Sequence, residues 1–185
     1  MTKKIILGAL AVIVLIFIFK MNNKPMNNDK ENKAGQKHMT IESDVFVNNG
    51  KIPVLYTCNG GGTQPPLKIS DVPQKVKSLA LIVDDPDAPN GDFVHWVVWN
   101  LSPKTLTIEK SIVPEGAVEG YTSLNKSGFV PPCPPSGVHH YNFKLYALDA
   151  ILSIPNSSNK SDLIKAMDKH IVDSATLVGL YGKGF

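Results

Sequence analysis

Short runs of β-branched and aromatic residues, separated by Gly, Pro, Asn and Asp, constrain the fold of this chain more than any other feature. The runs cover residues 45–47, 52–56, 78–83, 93–100 and 141–148. Runs of this length and composition are typical of β-strands, and no long helical period precedes residue 160 in a chain with 14 prolines and 14 glycines. The sequence therefore predicts a mainly β domain of antiparallel strands in two packed sheets.

A helical pattern follows late in the chain. Leu163, Ile164, Met167 and Ile171 fall on one helical face, and Ser161 is placed to cap the N-terminus of that helix. Residues 66–70 and 175–185 show no clear pattern. We expect one or two helices near the C-terminus.

The N-terminus has the pattern of a membrane anchor. Lys3 and Lys4 precede an apolar run at residues 5–19, which Lys20 closes. A helix of that length spans about 22 Å, less than the roughly 30 Å hydrocarbon core, but flanking lysines can snorkel to the interface. No small-x-small cleavage site follows the run. We expect residues 1–20 to form a hydrophobic helix, an uncleaved signal anchor that places the domain outside the cytoplasm, with secretion after cleavage as the alternative.

The charge distribution divides the rest of the chain. Residues 21–39 are rich in Asn and Lys and have the composition of a flexible linker. Residues 1–39 hold seven Lys against two acids, whereas residues 40–185 hold twelve Lys against fourteen acids. The chain has no Arg, and residues 40–185 lack the basic stripe that binds nucleic acid. They are of a size for one domain.

Cys58 and Cys133 are the only cysteines of the sequence. An even number permits one disulfide in an oxidising compartment, but the spacing does not show whether the two loops bring the sulfur atoms within reach. A disulfide and two free thiols both remain open. Neither cysteine has the spacing of a zinc site.

Two proline-rich segments, residues 84–98 and 131–141, carry the candidate functional groups. If their loops meet, one polar pocket contains Asp85, Asp87, His95, His139 and Tyr141. A carboxylate that accepts one imidazole N–H fixes the tautomer of the ring. The other ring nitrogen then faces the pocket as a donor for a small anion.

Strand alternation predicts where these side chains point. Residues 93, 95, 97 and 99 share a face, so we expect His95 to lie among Phe93, Val97 and Trp99. His139 and Tyr141 share a face of the later strand. A purely structural interpretation stays open for each group, because histidines at a core edge bond to backbone carbonyls and an Asp-Pro-Asp string is good turn material.

The same residues resemble the phosphatidylethanolamine-binding protein family, in particular its bacterial YbhB/YbcL, Raf-kinase-inhibitor-like branch. The similar segments are residues 85–89, 95–98 and 132–141, with further likeness at 56–60, 65–67, 145–149 and 177–181. The resemblance covers residues 40–185. It implies a β-sandwich of a large and a small sheet with an anion pocket at one end. By motif position the pocket residues are Asp85, Asp87, His95, Pro134, His139 and Tyr141.

The expected pocket is preformed and polar and has no obvious nucleophile, and relatives inhibit kinases or proteases, so we expect a non-enzymatic protein without cofactor, metal or catalytic residue. Such a protein binds phosphate or a phosphoethanolamine headgroup and modulates a kinase, a protease or another protein partner. The alternative is a metal-dependent phosphoester hydrolase that uses the same Asp and His side chains.

The chain departs from the family pattern at two places. His140 stands where relatives usually have Arg, and strand alternation points it away from the pocket. Val130 and Pro131 stand where bacterial relatives commonly have two glycines, and we expect this change to stiffen the pocket rim.

Overall fold

A computed structural model describes residues 37–182, which form two β-sheets and one helix layer. The strands are β1 (Thr40–Glu42), β2 (Gly50–Lys51), β3 (Leu67–Ser70), β4 (Ser78–Asp85), β5 (Phe93–Leu101), β6 (Thr107–Ile108), β7 (Val118–Glu119), β8 (Val138–Leu148) and β9 (Ile171–Gly182). Helix α1 (Lys160–Met167) lies between β8 and β9. The small sheet has the order β1-β3-β6, and the large sheet has the order β2-β9-β8-β4-β5-β7.

The main core fills the space between the two sheets. Leu81 of β4, Trp96 of β5 and Phe143 of β8 are fully buried there and face Leu67 and Ile69 of the small sheet. Burial of apolar area on this scale is the dominant favourable contribution to folding. The mainly β prediction is therefore confirmed, with β2 and β9 as a parallel exception among otherwise antiparallel pairs.

A second core cluster lies on the opposite face of the large sheet. Leu163 and Met167 of α1 are buried against Ile82, Val97 and Trp99. The large sheet is thus covered on both faces, by the small sheet on one side and by α1 on the other. This explains why all eight residues of β4 are buried.

Helix α1 differs in detail from the sequence prediction. Its N-cap is Asn159, not Ser161, because the Asn159 side chain accepts the N–H groups of Ser161 and Asp162 in a capping box. Ile164 is half-exposed, and Ile171 already belongs to β9. Residues 37–182 contain this one α-helix, which lies where the sequence predicts it, and strand β9 follows it directly.

Two predicted strands are also wrong. Residues 45–47 lie outside any strand, and Val54–Tyr56 forms a single 3-10 turn after Pro53, which has no N–H to donate to a sheet. The long strand β9 had no clear pattern in sequence. Part of the reason is Gly179, because glycine in a strand interior weakens the strand pattern. The position requires glycine, since an added Cβ would lie 2.5 Å from the Ile52 side chain.

The predicted anchor at residues 1–20 and the linker up to residue 36 lie outside the described residues. Within residues 37–182 we find no helix with the length and apolar character needed to cross a bilayer. The anchor stays a prediction.

The structure joins Cys58 to Cys133 in a disulfide, with the two Cα atoms 5.4 Å apart. The backbone supports the same contact, because the Cys58 N–H donates to the Pro132 carbonyl at 3.0 Å. The bridge connects two loops that are separated by 75 residues in sequence. It ties the proline-rich segment at residues 131–135 to the body of the domain.

We predict that replacing both cysteines by Ala lowers the free energy of unfolding by about 4 kcal/mol, because the open chain regains the loop-closure entropy that the cross-link removes. Urea unfolding without reductant measures this difference. Wild-type protein treated with reductant serves as the control and should unfold at the midpoint of the double variant. A loss below about 1 kcal/mol would show that the bridge does not restrict the unfolded chain as described.

Candidate anion-binding site

The two proline-rich segments meet at one end of the large sheet and enclose a cavity of about 160 Å³. Its polar lining comes from Asp85, His95, His139 and Tyr141. The rest of its wall is apolar and comes from Ala88, Pro89, Phe93, Val130, Pro131, Pro134, Pro135 and the disulfide-bonded Cys133. Five of the six predicted pocket residues therefore lie together, with Pro134 in the wall.

A buried pair of Asp85 and His139 forms one side of the cavity. Asp85 ends β4, and His139 lies near the start of the neighbouring strand β8. The ring Nδ1 of His139 lies 2.8 Å from the Asp85 carboxylate, and both side chains are less than a tenth exposed. Because a carboxylate only accepts hydrogen bonds, Nδ1 carries the hydrogen. The ring nitrogen Nε2 is then available to the cavity.

His95 reaches the cavity through a β-bulge. Val83 of β4 pairs with Trp96 of β5, and the next residue, Asp84, pairs with Val94. His95 is thus the extra residue between them, and such a bulge re-aims the side chain that it contains. Trp96 packs in the core between the sheets, whereas Val94 belongs to the cluster beneath α1.

The contacts of His95 correct the prediction from simple alternation. Its ring packs against Phe93 at 4.8 Å and Tyr141 at 5.2 Å between centroids, whereas Val97 and Trp99 lie in the helix-side cluster. The bulge is the physical reason, because it breaks the period of two on which the prediction depended.

The pocket rim fixes the ring of His95. Its Nδ1 lies 2.7 Å from the Val130 carbonyl oxygen, and the Val130 N–H donates to the His95 carbonyl at 2.8 Å. A carbonyl only accepts, so Nδ1 again carries the hydrogen and Nε2 is left for the cavity. Burial lowers the pKa of His95, although the bond to Val130 and the charge of Asp85 act in the opposite direction. The neutral ring is therefore favoured.

The Tyr141 hydroxyl makes no hydrogen bond of normal geometry with the described residues, although the Asp85 carboxylate lies close enough to act on it. The Tyr141 side chain is 1% exposed, and the hydroxyl oxygen is buried. Burial and then the negative charge of Asp85 raise the pKa of Tyr141 far above its usual range, so the phenol stays protonated. A buried polar group without a partner is costly. It is the kind of group that a ligand in the cavity would satisfy.

Asp87 is the predicted pocket residue that the structure places elsewhere. Its carboxylate accepts the backbone N–H of His140 at 2.8 Å and contacts the His140 ring Nδ1 at 2.7 Å. Both side chains are about half-exposed. The backbone N–H of His140, and then its ring, lower the pKa of Asp87. Asp87 still supports the site indirectly, because its own N–H donates to Asp85 at 2.9 Å.

Sequence reasoning did not find the role of Asp84, which precedes Asp85 and points to the other face of the sheet. The Asp84 carboxylate is fully buried and contacts Lys144 at 2.7 Å and Lys160 at 2.6 Å. Burial acts to raise the pKa of Asp84, but the two ammonium groups outweigh it and hold the pKa below its usual value. Lys160 also pairs with Asp92. Both lysines therefore lie on the helix side of the large sheet and do not line the cavity.

A wider groove of about 590 Å³ lies beside α1 and is lined in part by Tyr121, Ile164 and Lys165. It is mostly apolar and open. The buried polar atoms without a partner in the described part of the chain belong to Thr63 and Tyr141, and neither residue lines this groove. Although this groove is larger than the cavity between the proline-rich segments, its lining includes none of these unpartnered polar atoms.

We predict that Tyr141→Phe leaves the free energy of unfolding unchanged or raises it by up to about 1 kcal/mol, because the lost hydroxyl has no partner to lose. Urea unfolding of the ligand-free protein measures the change. Tyr181→Phe is the matched control, since the Tyr181 hydroxyl accepts a hydrogen bond from Asn59 at 2.7 Å. The control should lose about 1 kcal/mol. An equal loss in Tyr141→Phe would mean that its hydroxyl has a structural partner.

The chain is similar to known proteins over most of its length. A family model described as phosphatidylethanolamine-binding protein matches residues 42–182. A UPF0098 protein of Methanothermobacter thermautotrophicus is 43% identical over 151 residues, which cover 79% of this chain and all of the relative. A UPF0098 protein of Chlamydia trachomatis is 44% identical over 154 residues, which cover 78% of this chain and 99% of the relative.

Two solved structures are similar over the same region. The crystal structure of a putative phosphatidylethanolamine-binding protein homolog, CT736 from Chlamydia trachomatis, has a TM-score of 0.77 and 42% identity, covering 79% of this chain and 98% of its own. Escherichia coli YbcL, described as a new member of the mammalian family, has a TM-score of 0.73 and 27% identity, covering 79% and 99%. The resemblance seen in the sequence is confirmed, and this chain belongs to the phosphatidylethanolamine-binding protein family.

Proposed function

We propose that this domain binds one phosphoryl group, or an anion of similar size, without transforming it. The supporting observation is the meeting of His95, the buried Asp85–His139 pair and the unpartnered Tyr141 hydroxyl in one cavity. The rings are held by existing hydrogen bonds, and the wall is rich in proline. Such preorganisation reduces the entropy cost of binding.

The size of the cavity restricts the ligand. About 160 Å³ is below the roughly 300 Å³ at which pockets for drug-sized ligands begin. Phosphate or the phosphoryl end of phosphoethanolamine is small enough to enter. Acyl chains would stay outside.

The lining favours binding over catalysis. Asp85 and His139 are arranged like the orienting acid and the base of a hydrolase, but the lining includes no Ser or Thr, and Cys133 is in a disulfide. The described residues contain no cluster of three or more His, Cys, Asp or Glu that could hold a metal ion. The hydrolase alternative therefore gains no support from the site.

The biological role we propose is regulatory. A kinase, a protease or another protein partner would respond to the occupied or empty state of the cavity. We further propose that the domain works outside the cytoplasm, held by an anchor at residues 1–20. The Cys58–Cys133 bridge supports this location, because disulfides persist mainly in oxidising compartments.

We predict that phosphate and phosphoethanolamine each produce saturable NMR shifts of His95, His139 and Tyr141. His139→Ala should weaken binding at least tenfold, the equivalent of about 1.4 kcal/mol, because it removes Nε2 from the cavity and leaves the negative charge of Asp85 without its partner. His170→Ala is the matched control: His170 also contacts an aspartate, Asp149, at 2.8 Å, but both side chains are about half-exposed. It should bind like wild type.

Removing His139 leaves Asp85 buried without its partner, so folding must be checked by thermal unfolding. Tyr141→Phe provides a second variant that removes one donor without exposing a charge. Unchanged affinity in both folded variants, or shifts confined to the groove beside α1, would reject the cavity as the binding site.

A further inference from the structure

We propose that this domain carries a second binding site, a strand-docking groove that takes an extended segment of a partner protein containing Lys or Arg. The groove has a volume of about 540 Å³ and lies between β1 of the small sheet and β9 of the large sheet, with residues 46–48 in its wall. It shares no lining residue with the anion cavity, so either proposal can fail without the other.

The backbone of β9 provides the first argument. Its outer edge faces away from β8, and the Val178 carbonyl accepts there from the Asn49 N–H at 2.8 Å. The backbone groups of a strand alternate between its two edges, and β9 pairs with β8 without a register shift over residues 173–182. Ser174 and Thr176 therefore present their backbone groups to the same outer edge.

Three of these backbone groups are open. The Ser174 N–H donates to the adjacent Asp173 carboxylate at 2.8 Å. The Ser174 carbonyl and the N–H and carbonyl of Thr176 have no hydrogen-bond partner among residues 37–182. One donor between two acceptors matches the backbone of an added strand, and extended peptides join exposed sheet edges in this way.

The neighbouring structure leaves room for such a strand. β2 already pairs in parallel with β9 at residues 179–180, so a strand beside residues 174–176 would extend an existing row. This stretch contains neither Lys nor Pro, two residues that commonly protect an exposed edge from pairing. The edge is therefore open to a strand from another chain.

The side chains of the groove indicate the chemistry of that strand. Ile41, Phe46 and Leu177 are buried along the groove, whereas Val47 is 75% exposed. Every second side chain of an added strand would point toward them. Because contact between apolar side chains removes their surface from water, we expect an apolar residue of the partner to cover Val47.

The charge of the groove favours a basic partner. Among the described residues that line it, Glu42 alone is charged. Its cross-strand neighbour Lys68 forms an ion pair with Asp44. Glu42 therefore offers a carboxylate to a Lys or Arg of the incoming segment. Residues 21–36 of the chain itself fit poorly, because they are rich in Asn and their apolar side chains are two Met, one Pro and one Ala.

Selection from a phage-displayed library of random peptides about ten residues long tests this with purified full-length protein. Thr176→Pro is the counter-selection variant, because it removes the outward N–H, and Pro is tolerated on an edge. We expect enriched peptides that combine apolar residues with Lys or Arg and bind wild type about tenfold more tightly than Thr176→Pro. Glu42→Gln should weaken their binding about threefold at low salt and less at high salt.

Thr176→Val is the matched control, because it changes the exposed side chain and keeps the backbone N–H; it should bind like wild type. Thermal unfolding checks that Thr176→Pro folds. If it does not, peptides with alternate backbone nitrogens methylated replace it and should not bind.

Amide hydrogen exchange gives the position of the bound peptide, which should slow the exchange of the Thr176 N–H. No enriched peptide, enrichment of acidic peptides, or equal binding to Thr176→Pro would overturn the inference and leave the proposed anion binding standing. Slow exchange of this N–H in the peptide-free protein would also overturn it, because the chain's own N-terminal segment would then fill the groove.

Discussion

The hydrogen bond between the Asp85 carboxylate and the His139 ring is the contact on which the geometry of the cavity depends. It joins the end of β4 to the start of β8, two adjacent strands in the middle of the large sheet. Removing one partner of such a buried pair leaves an uncompensated group and typically costs about 3–5 kcal/mol. The pair also fixes the tautomer of His139, and the second Asp85 oxygen holds the following loop through the N–H of Asp87. One carboxylate thus sets the ring orientation and the loop conformation together.

The consecutive acids Asp84 and Asp85 place their carboxylates on opposite faces of the large sheet. Because successive side chains of a strand point to opposite faces, Asp84 meets Lys144 and Lys160 on the helix side, while Asp85 meets His139 on the cavity side. The ammonium groups of Lys144 and Lys160 are therefore paired with Asp84 on the helix side of the sheet. The lining of the cavity includes no Lys, so in the proposed function an anion is held by hydrogen bonds more than by net charge. This division connects the fold to the proposed binding of an anion in the cavity.

Much of this arrangement could be predicted from the sequence, because period-two patterns and turn residues are local signals. Alternation correctly placed His139 and Tyr141 on one face and His140 on the other. It misplaced His95, because a bulge depends on the register with the neighbouring strand, which a single strand does not encode. Asp87 was misplaced for a similar reason: a turn carboxylate can accept from any nearby N–H, and here that N–H belongs to His140. The sequence did not decide whether the two cysteines form a disulfide, because Cys58 and Cys133 come together only in the folded domain.

The most direct test of the account is a crystal structure of the protein grown or soaked with phosphate near pH 6. The account predicts one phosphate in the cavity, within hydrogen-bond distance of Nε2 of His95, Nε2 of His139 and the hydroxyl of Tyr141, with the Asp85–His139 bond intact. An empty cavity in crystals that hold phosphate against Lys165 in the groove beside α1 would contradict it.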